Sequence, residues 1–151
     1  MSLRTDDISE ILTLTGTDLG RTDWVPITQD RVNTFAAATD DHQWIHVDPV
    51  RAADGPFGGT IAHGYLTLAL IIPLFHELLE LRGVGMSINY GLNRVRFPAP
   101  VRVGDRIRLH GVVAAAEAIE GGAQLTLDFT VEIESGAKPA CVAQAVYRYY
   151  R

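Results

Sequence analysis

The sequence predicts an α+β fold in which a curled antiparallel sheet wraps around one long buried helix. Three observations carry that expectation. Residues 65–75 are apolar almost all the way round a helical wheel, and a helix without a polar face belongs inside something. From Met86 onward the apolar period drops to two, the period of a strand. Turn-forming clusters at 120–122 ("EGG") and 135–139 ("SGAKP") separate the alternating segments, so consecutive strands fold back on one another.

The elements follow in chain order. "DDISEILTL" (6–14) reads as a short helix with Ile8, Ile11 and Leu12 inward. "DWVPI" (23–27) reads as a short strand, and Pro26, having no N–H to donate, confines it to an edge or a strand end. Thr28 is a suitable N-cap for a helix that gathers Val32, Phe35, Ala36 and Thr39 on one face and ends near Thr39. "RAADGPFGGTIAHG" (51–64) is rich in glycine and reads as a loop. The apolar helix after it should kink at Pro73, which removes the bond to the Ala69 carbonyl, and stop at Arg82-Gly83. Met86, Ile88, Tyr90 and Leu92 then alternate, while Val95 and Phe97 take the opposite parity. That slip predicts a bulge near Asn93. Ile107, Leu109, Gly111 and Val113 form the inner face of the next strand. Leu125, Leu127, Phe129, Val131 and Ile133 form that of the third, and "CVAQAVYRYY" supplies the last. One short early strand and four long ones are expected.

At 151 residues, with no repeat, charge block or linker, the chain reads as a single domain, 1–151. A net charge of −5 and a pI near 5.4 disfavour a broad nucleic-acid or anionic-membrane surface. The apolar run is too short, and too interrupted by Thr67 and Pro73, to span a bilayer. The single cysteine, Cys141, excludes an intrachain disulfide and suits a reducing compartment. "MSLRTDDISE" lacks a basic segment followed by an apolar run, so a cytoplasmic protein without a signal peptide is expected.

One stretch concentrates chemistry: "TDDHQWIH" (39–46). Two carboxylates, Asp40 and Asp41, precede two histidines four apart, His42 and His46. Metal site, acid/base pair and polar loop are all open readings of eight such residues. Their surroundings resemble a known family. "DDHQWIHVDPVRAA" is similar to the signature of MaoC-like (R)-specific enoyl-CoA hydratases, Gly-Asp-x-Asn-Pro-Leu-His with an alanine after five more residues. "IAHGYL" resembles the family's His-Gly step into its central helix, and "FPAPVRVGD" (97–105) its Pro-Val-x-x-Gly-Asp turn. The likeness runs from about Val25 to the C-terminus. Asp40, Gln43 and Trp44 depart from it, standing where glycine, asparagine and proline are usual.

The resemblance implies a hot-dog fold, hydration of a trans-2-enoyl-CoA to a (3R)-3-hydroxyacyl-CoA in fatty-acid metabolism, and a homodimer. It aligns Asp41 and His46 with the catalytic pair. Hydration requires a proton to leave water as its oxygen attacks C3, and a stabilised negative charge on the thioester oxygen. A neutral imidazole beside a carboxylate supplies the first, with His46 as base and Asp41 as partner; which of them takes the first proton stays open. The N–H of Gly64, at the start of the apolar helix, supplies the second. Gln43, Trp44, His63, Asn93, Arg94 and Arg96 complete the expected substrate contacts. Trp44 either packs or walls an acyl tunnel. Arg94 and Arg96, two apart on one strand face, either meet coenzyme A phosphates or stay solvated, and His63 has a plain alternative as a buried histidine bonded to a carbonyl. No cofactor and no metal is expected, since "HELLE" (76–80) ends in glutamate where a zinc helix carries its second histidine. A hot-dog thioesterase, a dehydratase subunit for acyl-carrier-protein substrates and a non-catalytic acyl-CoA binder are the rival functions.

Overall fold

The computed structural model describes residues 2–151. The chain begins with β1 (Leu3–Thr5), α1 (Ile8–Ile11), β2 (Asp18–Arg21) and β3 (Val25–Pro26). Three helices follow, α2 (Gln29–Thr39), α3 (Trp44–Val47) and α4 (Pro49–Ala53), and then the long α5 (Gly64–Leu78). The rest is strand: β4 (Leu79–Leu81), β5 (Met86–Arg96), β6 (Arg106–Ile119), β7 (Gly122–Ile133) and β8 (Cys141–Tyr150).

Alternation builds the main sheet. Ile107, Leu109 and Val113 of β6, Leu125, Leu127, Phe129 and Val131 of β7, and Cys141, Ala143, Ala145, Tyr147 and Tyr149 of β8 are buried, as period two requires. The strand order is β2-β6-β7-β8-β5, its pairings all antiparallel, and β3 also pairs with β6. Helix α5 lies on this inner face, with Leu66, Ile71, Leu74, Phe75 and Leu78 buried against it. Phe75 meets Phe129 edge-on at 5.4 Å and Tyr147 at 5.6 Å, which locks the middle of the helix to the centre of the sheet. The expected curled sheet around a central helix is therefore present.

Several local expectations differ. In α1 Ile8 and Ile11 are buried, but Leu12 is exposed and Leu14 takes its place inside, because the helix is only one turn long. Thr39 is exposed at the C-terminus of α2. Helix α5 runs through Pro73 and ends at Leu78, short of Arg82-Gly83. Its last residues instead form β4, which pairs in parallel with β1. The "RAADG" segment read as loop begins as helix α4, where Pro49 sits at the first turn and the Asp48 side chain accepts the Arg51 N–H at 3.0 Å. Strand β5 slips twice, near Asn93 as expected and again between Asn89 and Gly91. Met86 and Ile88 therefore lie opposite Tyr150 and Arg148 on the outer face, and Arg148 stacks on Tyr90. These three large side chains are exposed rather than inward.

Candidate active site

The "TDDHQWIH" stretch is a hinge between two helices rather than one loop. Helix α2 stops because Asp40 adopts a left-handed conformation, φ 59° and ψ 20°, which turns the chain through 41–43 into α3. His46 therefore sits on a short helix, while His42 remains in the exposed turn before it. Those two histidines do not share a helical face, which removes the pairing considered for a metal.

His46 is 7% exposed, and its surroundings fix its tautomer. Its Nδ1 lies 2.6 Å from the carbonyl of Ile61. A carbonyl can only accept, so Nδ1 carries the proton and Nε2 keeps the lone pair. Burial holds the imidazole below its ordinary value, and neighbouring His63 pushes the same way. The Ile61 bond and the Asp41 charge push in the opposite direction but do not prevail. His46 is thus a neutral ring with a free Nε2 near neutral pH. Gln29 secures it from behind: its Nε2 donates to the His46 carbonyl at 2.8 Å, while its Oε1 accepts the Thr60 hydroxyl at 2.6 Å. Gln29 is a site residue that the sequence reading missed. Its partners are remote in sequence, and a glutamine beside an N-cap carries no local signal.

His63 is 3% exposed and ends the loop that leads into α5. Its Nε2 donates to the Asp41 carbonyl at 2.9 Å and lies 3.9 Å from the Asp41 carboxylate. The plain reading of a buried histidine bonded to a carbonyl matches this geometry. The rings of His46 and His63 stack with centroids 3.8 Å apart and planes 23° from parallel. Asp41 itself is exposed. Among the described residues, Asp41, His46 and His63 are the one group whose nitrogen and oxygen ligand atoms come within 4.8 Å of one another. The group does not fit a metal centre: His63 Nε2 already carries a proton for a carbonyl, and two nearly parallel stacked rings aim their in-plane lone pairs side by side rather than at one point.

Gly64 is the first residue of α5, where backbone N–H groups have no intrahelical acceptor. A Cβ there would come within 3.3–3.4 Å of the Phe97 ring, a tight approach that glycine avoids. Asp41, His46, His63, Gly64, Tyr65 and Phe97 line one cleft of about 270 Å³. His46, Gly64 and Phe97 also border a more apolar cavity of about 360 Å³, walled by Phe57, Val101 and Ala140 among others. A depression of about 420 Å³ beside Trp24 and Lys138 is remote from this chemistry, and its Arg108, Glu132 and Glu134 are already ion-paired.

The other expected contacts are not brought to the cleft. Trp44 packs against Gly55 and beneath the Arg51 guanidinium, 4.3 Å from its ring centre. Gln43 is an exposed cap of α3 whose carbonyl accepts the His46 N–H. Asn93 donates to Gln144 at 2.9 Å on the outer face of the sheet, because it sits in the bulge between Leu92 and Arg94. Arg94 and Arg96 lie opposite Gln144 and Val142 on that same face. None of these five lines either cavity.

Comparison with known proteins agrees with this architecture. The profile of the MaoC like domain matches residues 10–133. A 3-hydroxyacyl-thioester dehydratase Z of Mycobacterium tuberculosis is 53% identical over 145 residues, covering 95% of this chain and 96% of that protein. Nodulation protein N of Rhizobium meliloti is 46% identical over 139 residues, covering 90% and 86%. The solved structure of an (R)-hydratase from A. caviae involved in PHA biosynthesis superposes with a TM-score of 0.72 at 28% identity, over 88% of this chain and 94% of that one. The fold is the hot-dog fold of those proteins.

Proposed function

The chain belongs to the MaoC-like dehydratase family, and from that premise we propose that it is an (R)-specific enoyl-CoA hydratase, converting trans-2-enoyl-CoA and water reversibly to (3R)-3-hydroxyacyl-CoA. The observation that carries this reading is the fixed tautomer of His46, with Nδ1 held by the Ile61 carbonyl and Nε2 left basic in a cleft shared with Asp41 and Gly64. In this mechanism a water sits between His46 Nε2 and the Asp41 carboxylate. As its oxygen bonds to C3, one of its protons passes to the pair, His46 being the natural acceptor. The C2–C3 π electrons move toward the thioester, and the oxygen that takes up their charge is met by the Gly64 N–H at the positive end of α5. C2 then takes a proton from the pair, the thioester carbonyl re-forms and His46 returns to neutral. Preorganised donors of this kind are worth about 3–4 kcal/mol of barrier. Asp41, facing the imidazolium, stabilises it while it lasts.

We place the reaction in a homodimer that acts on a soluble acyl-CoA; among the described residues no helix is long and apolar enough to cross a membrane. The assay is direct. Incubated with a trans-2-enoyl-CoA, the protein should erase the conjugated-enoyl absorbance while a thiol reagent stays silent, since the thioester survives. An R-specific coupling dehydrogenase should oxidise the product, and an S-specific one should ignore it. Thiol release at the rate of substrate loss would replace the hydratase reading with a thioesterase.

A further inference from the structure

His63 has no part in the chemistry above, yet it is among the most enclosed polar residues of the chain. Its Nε2 must carry a proton, because the group it faces is the Asp41 carbonyl. Its Nδ1 is buried with no hydrogen-bond partner. Among the described residues no neighbouring group accepts a hydrogen bond from that nitrogen. No substrate atom can reach Nδ1 either, so His63 is not a base for the reaction. Its faces are used instead, one stacked on His46 at 3.8 Å and another tilted against Phe35 of α2 at 4.8 Å.

We propose that His63 is a positioning residue, an unreacting imidazole that anchors the backbone of Asp41 through Nε2 and sets the plane of His46 through its stacked face. The Asp41 backbone and the His46 ring, five residues apart in one stretch, are thereby registered to one rigid ring at the threshold of α5. The bond to the Asp41 carbonyl matters because Asp41 follows the left-handed Asp40 and lies in an exposed turn. Its carboxylate is otherwise held only by a 3.5 Å contact with the Gln43 N–H. The stack matters because it covers the ring face that water would otherwise wet. Other charged groups on the elements around His46 do not compete. Asp30 and Arg31 of α2, His42, and Asp48 and Asp54 beside α4 are exposed. Arg51 lies over Trp44, and Arg102 reaches the Gly58 carbonyl.

This inference rests on the hydratase reading for its kinetic consequences but not for its structural ones, and the experiment separates them. On the unaltered protein, long-range ¹H–¹⁵N correlation of the histidine side chains should report a proton on His63 Nε2. A His63 whose single proton sits on Nδ1 overturns the proposal, and this measurement needs no variant to fold. Two substitutions then divide the roles. His63→Phe keeps a flat ring on His46 but loses the donor. Its kcat on trans-2-enoyl-CoA should fall about 10–100-fold with KM little changed, as expected when a reacting group is displaced, while the His46 titration stays low. His63→Gln keeps a donor but not the ring. It should recover part of that kcat, while the His46 titration and the acid limb of the pH profile both move upward. A folded His63→Phe protein with parental kcat, or a His63→Gln protein with an unmoved His46 titration, also overturns the proposal. An unaltered protein inactive on enoyl-CoA removes the hydratase reading, whereas the His46 titrations still decide for or against His63.

Discussion

The residues proposed to react divide by how their surroundings treat them. His46 is enclosed and bonded through one nitrogen, whereas Asp41 is open to solvent. In the proposed mechanism removing either side chain strands the shared water, so Asp41→Ala and His46→Ala should each reduce turnover by about 10²–10⁴ with the fold retained, as judged by circular dichroism. The double variant should be little worse than the worse single one, because the two act on the same proton. His42→Ala, in the exposed turn, is the control and should be mild. Near-parental turnover in a folded single variant would remove that residue from the mechanism. A pH dependence follows from the same environment. Burial lowers the His46 value below its ordinary 6.5, so the base form persists to lower pH than a free histidine would allow. The acid limb of kcat/KM should accordingly fall below pH 6.5, and a limb at or above it would contradict the enclosure. Stability carries the same sign. Between the folded and unfolded values the unfolded chain binds the extra proton, so the His46 contribution is complete above about pH 6.5 and is lost as pH falls through the lowered value.

Among the elements, the end of α2 is where sequence and geometry are most at odds. The family signature has glycine at the place of Asp40, and the structure gives the reason: the chain passes through φ 59°, where an L side chain is strained. Asp40→Gly should relieve that strain and offset part of the gain with added chain entropy. The expected result is a net stabilisation of about 0.5–1 kcal/mol, or a melting temperature higher by about 1–4 °C. A lower melting temperature would mean that the Asp40 carboxylate contributes more than the strain removes. The same element illustrates what the sequence reveals. Thr28 capping and the end near Thr39 were readable because a cap and the limits of a helical period are local signals. The unbroken alternation of β7 was readable for the same reason. Pairing of β1 with β4 was not, since three residues carry no period and the partner strand lies beyond the central helix. Strand β5 misled because a second bulge at Tyr90 restores apparent alternation while moving Met86, Ile88 and Tyr90 to the outer face. In the site, Asp41, His46 and Gly64 were legible through short motifs. The Gln29 clamp and the His63 stack exist only once remote segments meet.

For the whole molecule, the unusual feature is apolar surface left over where the sheet ends. Helix α5 looks apolar all round in sequence, yet the sheet covers only one side of it. Tyr65 is 73% exposed, and Ala69, Pro73 and His76 continue the same open stripe. Beside the stripe runs β5, paired with β8 on one edge and, among the described residues, with nothing on the other, carrying exposed Met86, Ile88, Tyr90 and Leu92. An open edge next to an exposed apolar helix is a surface that proteins ordinarily protect. A second copy, related by a two-fold axis, would cover it by laying β5 against β5 and stripe against stripe, since such an interface must be self-complementary. Light scattering should therefore give a mass of about twice 16.5 kDa, and a value near 16.5 kDa at working concentration would contradict the dimer. Ala69→Arg tests the surface itself. The residue is exposed and makes no part of the core, so a lone chain should tolerate it. At a dimer seam it would bury two like charges facing each other, so the protein should shift to monomer while keeping its far-ultraviolet spectrum. A folded Ala69→Arg protein that remained dimeric would move the interface away from α5.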